Sequence, residues 1–246
     1  MKEIILCEGS TDYVLLQYYM REAYKWADDK NKQRNILRFP GQPSRNLLKE
    51  SNVLTVAAVG GCSQLSNGLK KVLETNRLSS PAASEAYNKI VIVTDRDEIG
   101  TEEVFIAAVG RLLDEYQVVY EEISHNKWMS CTMKNQIGMF IPFSILLLII
   151  PFEENGAMET FLLNAVAAAD SYDKILIDKC ADFVDAADPE KRYLINRRYV
   201  TKAKFDTYFS IRTPAVQFVQ RQDIIKNVKW EQYNTIQKAF EKLQEL

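Results

Sequence analysis

The sequence predicts an α/β fold: a central, mostly parallel sheet with helices on both faces, followed by a mainly helical C-terminal extension. Short apolar runs alternate with stretches whose apolar residues repeat at helical spacing, which is typical of such a sheet. After about residue 170 the sequence becomes charged, aromatic and helical in pattern. We therefore expect an α/β domain over 1–172, with an insertion at about 28–50, and a helical extension over 173–246 that packs on it.

The apolar runs predict strands that are buried in the sheet. The stretch 135–152 carries no charge, but it is shorter than the about 20 apolar residues that a membrane span needs. Because Pro142 and Pro151 also interrupt it, we expect two buried strands there and no membrane segment. In chain order, the expected strands span 2–7, 36–39, 54–59, 89–94, 117–120, 137–143 and 145–152.

Helices are expected where apolar residues recur at three- and four-residue spacing after a capping residue. Thr101, for example, precedes Glu102 and Glu103, and acidic residues in a first turn favour a helix start. The expected helices begin near residues 11, 63, 101 and 158, and further helices follow in the C-terminal extension.

Composition narrows the possible functions. The chain has 246 residues, 31 Lys and Arg against 33 Asp and Glu, and a formal net charge of −2, so any nucleic-acid surface must be local. The single histidine, His125, excludes zinc sites that need two or more histidines. The four cysteines form no Cys-x-x-Cys pair, and such scattered thiols, with no signal-peptide pattern, predict a cytoplasmic protein.

Acidic residues and glycines follow three of the apolar runs. In chain order they are Glu8, Gly9, Asp12, Gly60, Gly61, Asp95 and Asp97. Ligands of parallel sheets bind beyond the carboxyl ends of the strands, which is where these residues should meet. Because gathered carboxylates repel one another unless a cation joins them, the pattern indicates a site for Mg²⁺ or Mn²⁺. One or two such ions can polarise a phosphodiester and activate water.

Each acid also has an ordinary structural explanation. Asp95 and Asp97 suit a solvated turn after a strand, and Asp12 suits the first turn of a helix. An EF-hand is excluded because Ile106 occupies the twelfth loop position, which requires a glutamate. Neither a GxGxxG nor a P-loop pattern is present, so the common nucleotide-binding motifs have no support.

Three segments together resemble the Toprim domain of topoisomerases, bacterial primases and OLD-family nucleases. They are an apolar strand ending in Glu-Gly-x-x-Asp at 4–12, a strand followed by glycines at 54–61, and an apolar strand ending in Asp-x-Asp at 90–97. The segment 151–159 is similar to that of stand-alone bacterial and archaeal Toprim proteins of unassigned function. The resemblance covers residues 1–172 and is looser beyond them.

The resemblance implies roles for the acidic residues. Glu8 would act as general acid or base, and Asp95 and Asp97 would coordinate Mg²⁺. By the OLD-type pattern, Asp12 would join a second metal ion. Glu159 would complete the cluster, unless it is simply an acid in the first turn of a helix.

The resemblance also implies which residues would contact the phosphate of the substrate. Gly9, Gly60 and Gly61 are expected to form a phosphate-binding loop. OLD-type nucleases use a lysine near the metal ions, which implies that Lys202 or Lys204 stabilises the charge that develops on the phosphate.

A basic segment at 191–204 contains six Lys and Arg residues and no acid. Arg192, Arg197 and Arg198 are expected to neutralise phosphates there, while interleaved tyrosines stack on unpaired bases. The alternative is a solvated helix face whose aromatic residues belong to the core.

These observations favour a Mg²⁺-dependent, Toprim-type phosphodiesterase that acts on DNA or RNA in defence or repair. Such a stand-alone module is expected to need a partner protein for targeting, and its oligomeric state stays open. Two alternatives remain: a Toprim module that binds nucleic acid or protein without catalysis, and a phosphotransfer enzyme for a small phosphorylated molecule.

Overall fold

The computed structural model describes residues 1–31, 34, 36–80, 85–214 and 221–246, without the side chains of 221 and 222. In these residues the chain is an α/β protein built on one mixed, eight-stranded sheet. The strands are β1 (Lys2–Cys7), β2 (Ala27–Asp28), β3 (Ser44–Lys49), β4 (Asn52–Ala58), β5 (Lys89–Asp95), β6 (Val119–Tyr120), β7 (Trp128–Lys134) and β8 (Phe140–Ile150). Their order across the sheet is β2-β3-β4-β1-β5-β8-β7-β6.

The four central strands β4, β1, β5 and β8 run parallel, and the outer strands pair antiparallel. Parallel strands covered on both faces need apolar side chains on both sides, and Ile4, Ile5 and Leu6 are accordingly all fully buried. Because β4, β1 and β5 are neighbours, their carboxyl ends meet at one edge of the sheet. The residues that follow these strands are therefore brought together by the topology.

Helices cover both faces of the sheet. They are α1 (Ser10–Glu22), α2 (Cys62–Leu78), α3 (Thr101–Glu115), α4 (Met158–Ala169), α5 (Ser171–Ala187), α6 (Arg197–Arg212), α7 (Arg221–Asn227) and α8 (Asn234–Phe240), with 3₁₀ turns at Trp230–Gln232 and Glu241–Glu245. Apolar side chains of α1 and α4 to α8 build the core on one face. Those of α2 and α3 build the core on the other. The predicted α/β class, with helices on both sides, is confirmed.

Several predicted strands are confirmed, and three predictions are wrong. Residues 36–39 form no strand; the strand of this region is β3, because its leucines, not those residues, pair with β4. The two strands expected from 137 to 152 are the single strand β8, since Ser144 pairs with both Lys89 and Ser130 and leaves no break. Strand β7 was not predicted, although its side chains alternate between buried and more exposed.

The segments outside the central sheet have mixed outcomes. The region expected as an insertion contributes β3 to the sheet, next to β4. The predicted domain boundary near residue 172 falls in the first turn of α5 and stays a prediction. Part of the loop expected after α2, residues 81–84, lies outside the described residues. Among the helices described, none is long and apolar enough to cross a membrane.

One acid lies inside the sheet at the end opposite the carboxyl termini of the parallel strands. Glu3 on β1 is 0% exposed, and both of its carboxylate oxygens lack a hydrogen-bond partner among the described residues. Burial raises the pKa of this carboxyl, while the positive charges of Lys89, the N-terminus and Lys49 partly offset the effect. The ionised form of Glu3 therefore lowers the free energy of unfolding.

Replacing Glu3 with the similarly shaped, uncharged methionine should stabilise the protein. We expect Glu3→Met to raise the free energy of unfolding by about 1–3 kcal/mol at pH 8, the cost of an unsatisfied buried polar group. Because the folded-state pKa is raised, the destabilisation grows as pH rises through it, so the gain should shrink towards pH 4. Urea titrations check this, with the exposed Glu22→Met as control. A lower midpoint for Glu3→Met at pH 8 would contradict the prediction.

Candidate active site at the strand ends

A pocket of about 520 Å³ lies beyond the carboxyl ends of β4, β1 and β5. The first turns of four helices, α1, α2, α4 and α6, contribute to its wall. Amide groups in a first helical turn point away from the helix and carry partial positive charge, so such ends favour anions. The pocket also contains most of the residues that the sequence predicted for the site.

Glu8, directly after β1, connects the three strand ends. Its backbone carbonyl accepts hydrogen bonds from the amides of Gly60 and Gly61, both at 2.9 Å. Its carboxylate oxygen Oε1 accepts hydrogen bonds from the Thr94 hydroxyl at 2.6 Å and the Asp95 amide at 2.9 Å. Glu8 is therefore held by β4 on one side and by β5 on the other.

The glycines predicted as a phosphate loop shape this edge. Gly60 and Gly61 have φ values of +100° and +118°, which disfavour any residue with a side chain. Their amides donate to the Glu8 carbonyl, and the Gly9 amide donates to Asp12 Oδ2 at 2.9 Å. All three glycines line the pocket, but their own N–H groups are engaged within the protein.

Two aspartates line the pocket at the end of β5: Asp95 is the last residue of the strand, and Asp97 follows two residues later. Arg96, which separates them, donates from Nε to the Pro151 carbonyl at 2.8 Å and pairs with Glu102 at 2.7 Å. These contacts hold Arg96 away from the pocket, whereas Asp95 and Asp97 line it.

The start of α4 is attached to the same turn. The Gly156 amide donates to the Arg96 carbonyl at 2.8 Å, and the Met158 amide donates to Asp95 Oδ1 at 2.9 Å. A side chain on Gly156 would meet Thr160 at 2.8 Å, so a glycine allows this close approach. The next residue after Met158, Glu159, is thereby placed in the pocket.

Glu159 combines burial with the absence of a bonding partner in the described part of the chain. It is only 4% exposed, and within the described residues its carboxylate makes no hydrogen bond and no ion pair. Its negative charge acts instead on Asp12 and Asp95 and raises the pKa of both. Glu159 lies in the first turn of α4, as its alternative explanation expected, and also joins the acidic cluster.

Burial and mutual repulsion raise the pKa values of the other acids. Burial, with the charges of Glu8 and Glu159, raises the pKa of Asp12 to about 7, although the Gly9 amide and Lys202 oppose the shift. Burial and the charges of Asp12, Glu8 and Glu159 raise the pKa of Asp95 well above its usual value. The pKa of Glu8 is also raised by burial.

These side chains supply the hard oxygen donors that Mg²⁺ and Mn²⁺ accept. Within the described residues, no three His, Cys, Asp or Glu side chains are already gathered as a metal cage. Mg²⁺ does not require one, because it keeps several water ligands and takes one or two carboxylates. The donor set therefore fits a hydrated divalent cation better than a fully protein-coordinated one.

The cations of α6 lie on the same pocket. Arg197, Arg198 and Lys202 line it with Thr201, one turn apart on one side of the helix. The positive charge of Arg198 lowers the pKa of Glu8 and opposes the effect of burial, as Lys202 does for Asp12.

Two predicted basic residues are not among those that line the pocket. Lys204 lies on another side of α6 and pairs with Asp185 of α5 at 2.7 Å. Arg192 precedes the helix, stacks on the Tyr193 ring at 5.4 Å, and its amide donates to Asp188. Their predicted roles in catalysis and nucleic-acid binding gain no support from these positions.

Seven other pocket residues were not predicted for the site: Ser10, Thr11, Gln42, Cys62, Ser63, Ala157 and Thr201. Cys62 and Ser63 follow Gly61 directly, so their place after a strand was a usable signal. Thr201 is visible only once the start of α6 is known. Gln42 comes from the segment before β3, and no sequence pattern indicated it.

Comparisons with known proteins identify the family but no activity. The family model described as "Protein of unknown function (DUF3226)" matches residues 2–244, and the chain belongs to that family. No curated protein matches the chain. A crystal structure of a hypothetical protein from Pyrococcus horikoshii OT3 is similar over 99% of this chain and 98% of that one, with 16% identity and a TM-score of 0.54. That likeness concerns the fold alone.

A second structural match carries no argument. Lactoylglutathione lyase from Agrobacterium tumefaciens aligns over 59% of this chain and 92% of its own, with 11% identity and a TM-score of 0.17.

The raised pKa of Asp12 predicts a stability change with pH. In the metal-free protein, Asp12→Asn should raise the free energy of unfolding at pH 8 by about 2–4 kcal/mol. A carboxyl with a folded-state pKa of about 7 stabilises the folded state at low pH, and that contribution is lost as pH rises through 7. The gain should vanish below pH 4, where the carboxyl is protonated in both states.

Chemical denaturation at both pH values measures this difference. Asp182→Asn, on the exposed side of α5, is the control and should change little at either pH. Equal stability of Asp12→Asn and wild type at pH 8 would show that the Asp12 carboxylate is not strained in the pocket.

Proposed function

We propose that this DUF3226 protein is a Toprim-type phosphodiesterase that cleaves DNA or RNA with Mg²⁺ or Mn²⁺. The observation that carries the proposal is one pocket in which five acids meet three cations at the ends of parallel strands. The order of motifs supports the Toprim interpretation: a glutamate after β1, glycines after the neighbouring β4, and Asp-x-Asp after the neighbouring β5.

The charges of the pocket favour a divalent cation. Its five acids are Glu8, Asp12, Asp95, Asp97 and Glu159, and its cations are Arg197, Arg198 and Lys202. When all are ionised, the formal charge is −2, which one divalent ion balances. The carboxylate of Glu159, which lines the pocket and makes no hydrogen bond within the described residues, is open to such a partner.

Two groups of carboxylates would hold metal ions. Asp95 and Asp97 would hold the first and Asp12 would join a second, as the resemblance implies, and Glu159 would complete the cluster. Bound Mg²⁺ would supply Lewis-acid polarisation of the phosphoryl oxygens.

The residues of this chain perform the remaining steps. A water oxygen attacks phosphorus and loses a proton, the bond from phosphorus to the leaving sugar oxygen breaks, and that oxygen gains a proton, so no net proton is consumed. Glu8 is the group for the proton transfer, because it lies between the strand ends in the pocket and burial raises its pKa above that of an ordinary glutamate. Lys202 and Arg198 would stabilise the charge on the phosphate. Lys202, not Lys204, is thus our catalytic lysine.

The pocket size supports a second candidate function. About 520 Å³ is within the range of roughly 300–1,000 Å³ that small-molecule sites occupy. A phosphotransfer or phosphate-releasing reaction on a small phosphorylated molecule would use the same acids and cations. Small phosphate esters therefore belong in the first activity screen beside polynucleotides.

The biological setting is also part of the proposal. We place the protein in the cytoplasm, in defence or repair, with a partner protein that selects the nucleic acid. A module that binds without catalysis is the outcome to be distinguished by the activity assay below.

Labelled single- and double-stranded DNA and RNA, incubated with Mg²⁺ or Mn²⁺, test the activity. We expect cleavage that chelation abolishes and that Glu8→Gln and Asp95→Asn each reduce by about a hundredfold or more. Lys202→Gln should reduce the rate strongly, and Lys204→Gln by less than about twofold, because Lys204 pairs with Asp185 away from the pocket.

Two results would contradict the proposal. One is an absence of metal-dependent cleavage on every substrate; tight, salt-sensitive binding in that case would indicate a non-catalytic module. The other is cleavage that Glu8→Gln and Asp95→Asn leave unchanged, since this would place the reaction elsewhere.

A further inference from the structure

We propose that the pocket takes a phosphorylated end of a nucleic-acid strand, with the terminal phosphate on the cations of α6 and the neighbouring phosphodiester on the acids. This inference rests on the proposed function and specifies its substrate. It predicts release of nucleotides from an end and not cleavage within a strand.

The walls of the pocket limit what can enter. On one face of the sheet the pocket is bounded by the first turn of α2, and on the other by α1, α4 and α6. Gln42 packs beside Gly60 and also lines the pocket. A site of about 520 Å³ with walls on these sides suits a terminal nucleotide better than a continuous strand.

The two arginines that α6 contributes to the pocket are available to a phosphate. Arg197 and Arg198 are exposed to solvent in the pocket, and within the described residues neither side chain makes a hydrogen bond or an ion pair. The planar guanidinium group binds phosphate through two parallel hydrogen bonds. Both arginines stand in the first turn of α6, whose amides add positive potential at the same place.

The acids and the arginines come from different walls of the pocket: the acids from the strand ends, α1 and α4, and the arginines from α6. Glu159, buried and without a hydrogen bond within the described residues, lies among the carboxylates and points to a cation there. With two divalent ions the formal charge of the pocket becomes +2, and a single phosphodiester leaves one positive charge unmatched. A terminal phosphate carries about −1.5 to −2 at neutral pH and more than balances this remaining charge.

Four versions of one single-stranded oligonucleotide test the inference: 5′-phosphorylated, 3′-phosphorylated, hydroxyl at both ends, and ligated into a circle. We expect one of the phosphorylated forms to have a kcat/KM about tenfold or more above the hydroxyl form, and the circle to resist cleavage. Arg198→Gln and Arg197→Gln should bring this ratio towards one. Arg111→Gln, on the exposed side of α3, should keep the wild-type ratio.

A binding measurement separates this inference from the proposed function. Titration calorimetry with Ca²⁺ compares a dinucleotide carrying a terminal phosphate with the same dinucleotide lacking it, and we expect the phosphorylated one to bind about tenfold more tightly. Equal affinity of the two, or equal cleavage of circle and linear strands, would overturn the inference. If the phosphorylated dinucleotide binds preferentially but no strand is cleaved, the phosphodiesterase proposal fails while end recognition stands.

Discussion

The candidate site depends on the hydrogen bonds of Glu8. Its backbone carbonyl holds the glycine turn after β4, and its carboxylate holds the end of β5 through Thr94 and the Asp95 amide. The three strand ends are therefore fixed by one residue that is also the proposed acid or base. Any movement of β1 relative to its neighbours would change the spacing of the metal-binding carboxylates.

A second constraint is electrostatic. Asp12, Asp95 and Glu8 all have raised pKa values, so the folded protein holds these acids close together at a cost in stability. The cations of α6 offset part of that cost. In the described residues, Arg197 and Arg198 do so without forming an ion pair with any acid. An arrangement that is strained without its ligand is typical of functional sites, because the ligand then relieves the strain on binding.

The central strands and their chemistry were predictable from local sequence. Runs that are apolar on both sides identify β1, β4 and β5, and residues that follow parallel strands must meet at one edge. Glu8, Asp95 and Asp97 could be placed in the site by that reasoning. Glu159 required the resemblance, because its position depends on the bond between Gly156 and Arg96, which joins distant parts of the chain.

Other features depend on tertiary contacts that the sequence does not display. Strand β7 alternates between buried and more exposed side chains, so a local signal was present, whereas β8 continues through Ser144 only because strands on both sides pair with it. In the basic segment, the helix start after Asn196 determines which cations reach the pocket. From composition alone, Arg192 and Lys204 were as good candidates for the site as Arg198. Only the position of each residue relative to α6 shows which of them line the pocket.

The acids of the pocket are translated before the cations of α6 that face them. Four of the five pocket acids precede residue 98, whereas all three pocket cations lie at or after Arg197. During translation, strands β1, β4 and β5 are available to pair about a hundred residues before their counter-charges are made. The nascent sheet edge therefore carries its carboxylates unbalanced until α6 is made, and docking of this helix then neutralises part of their charge.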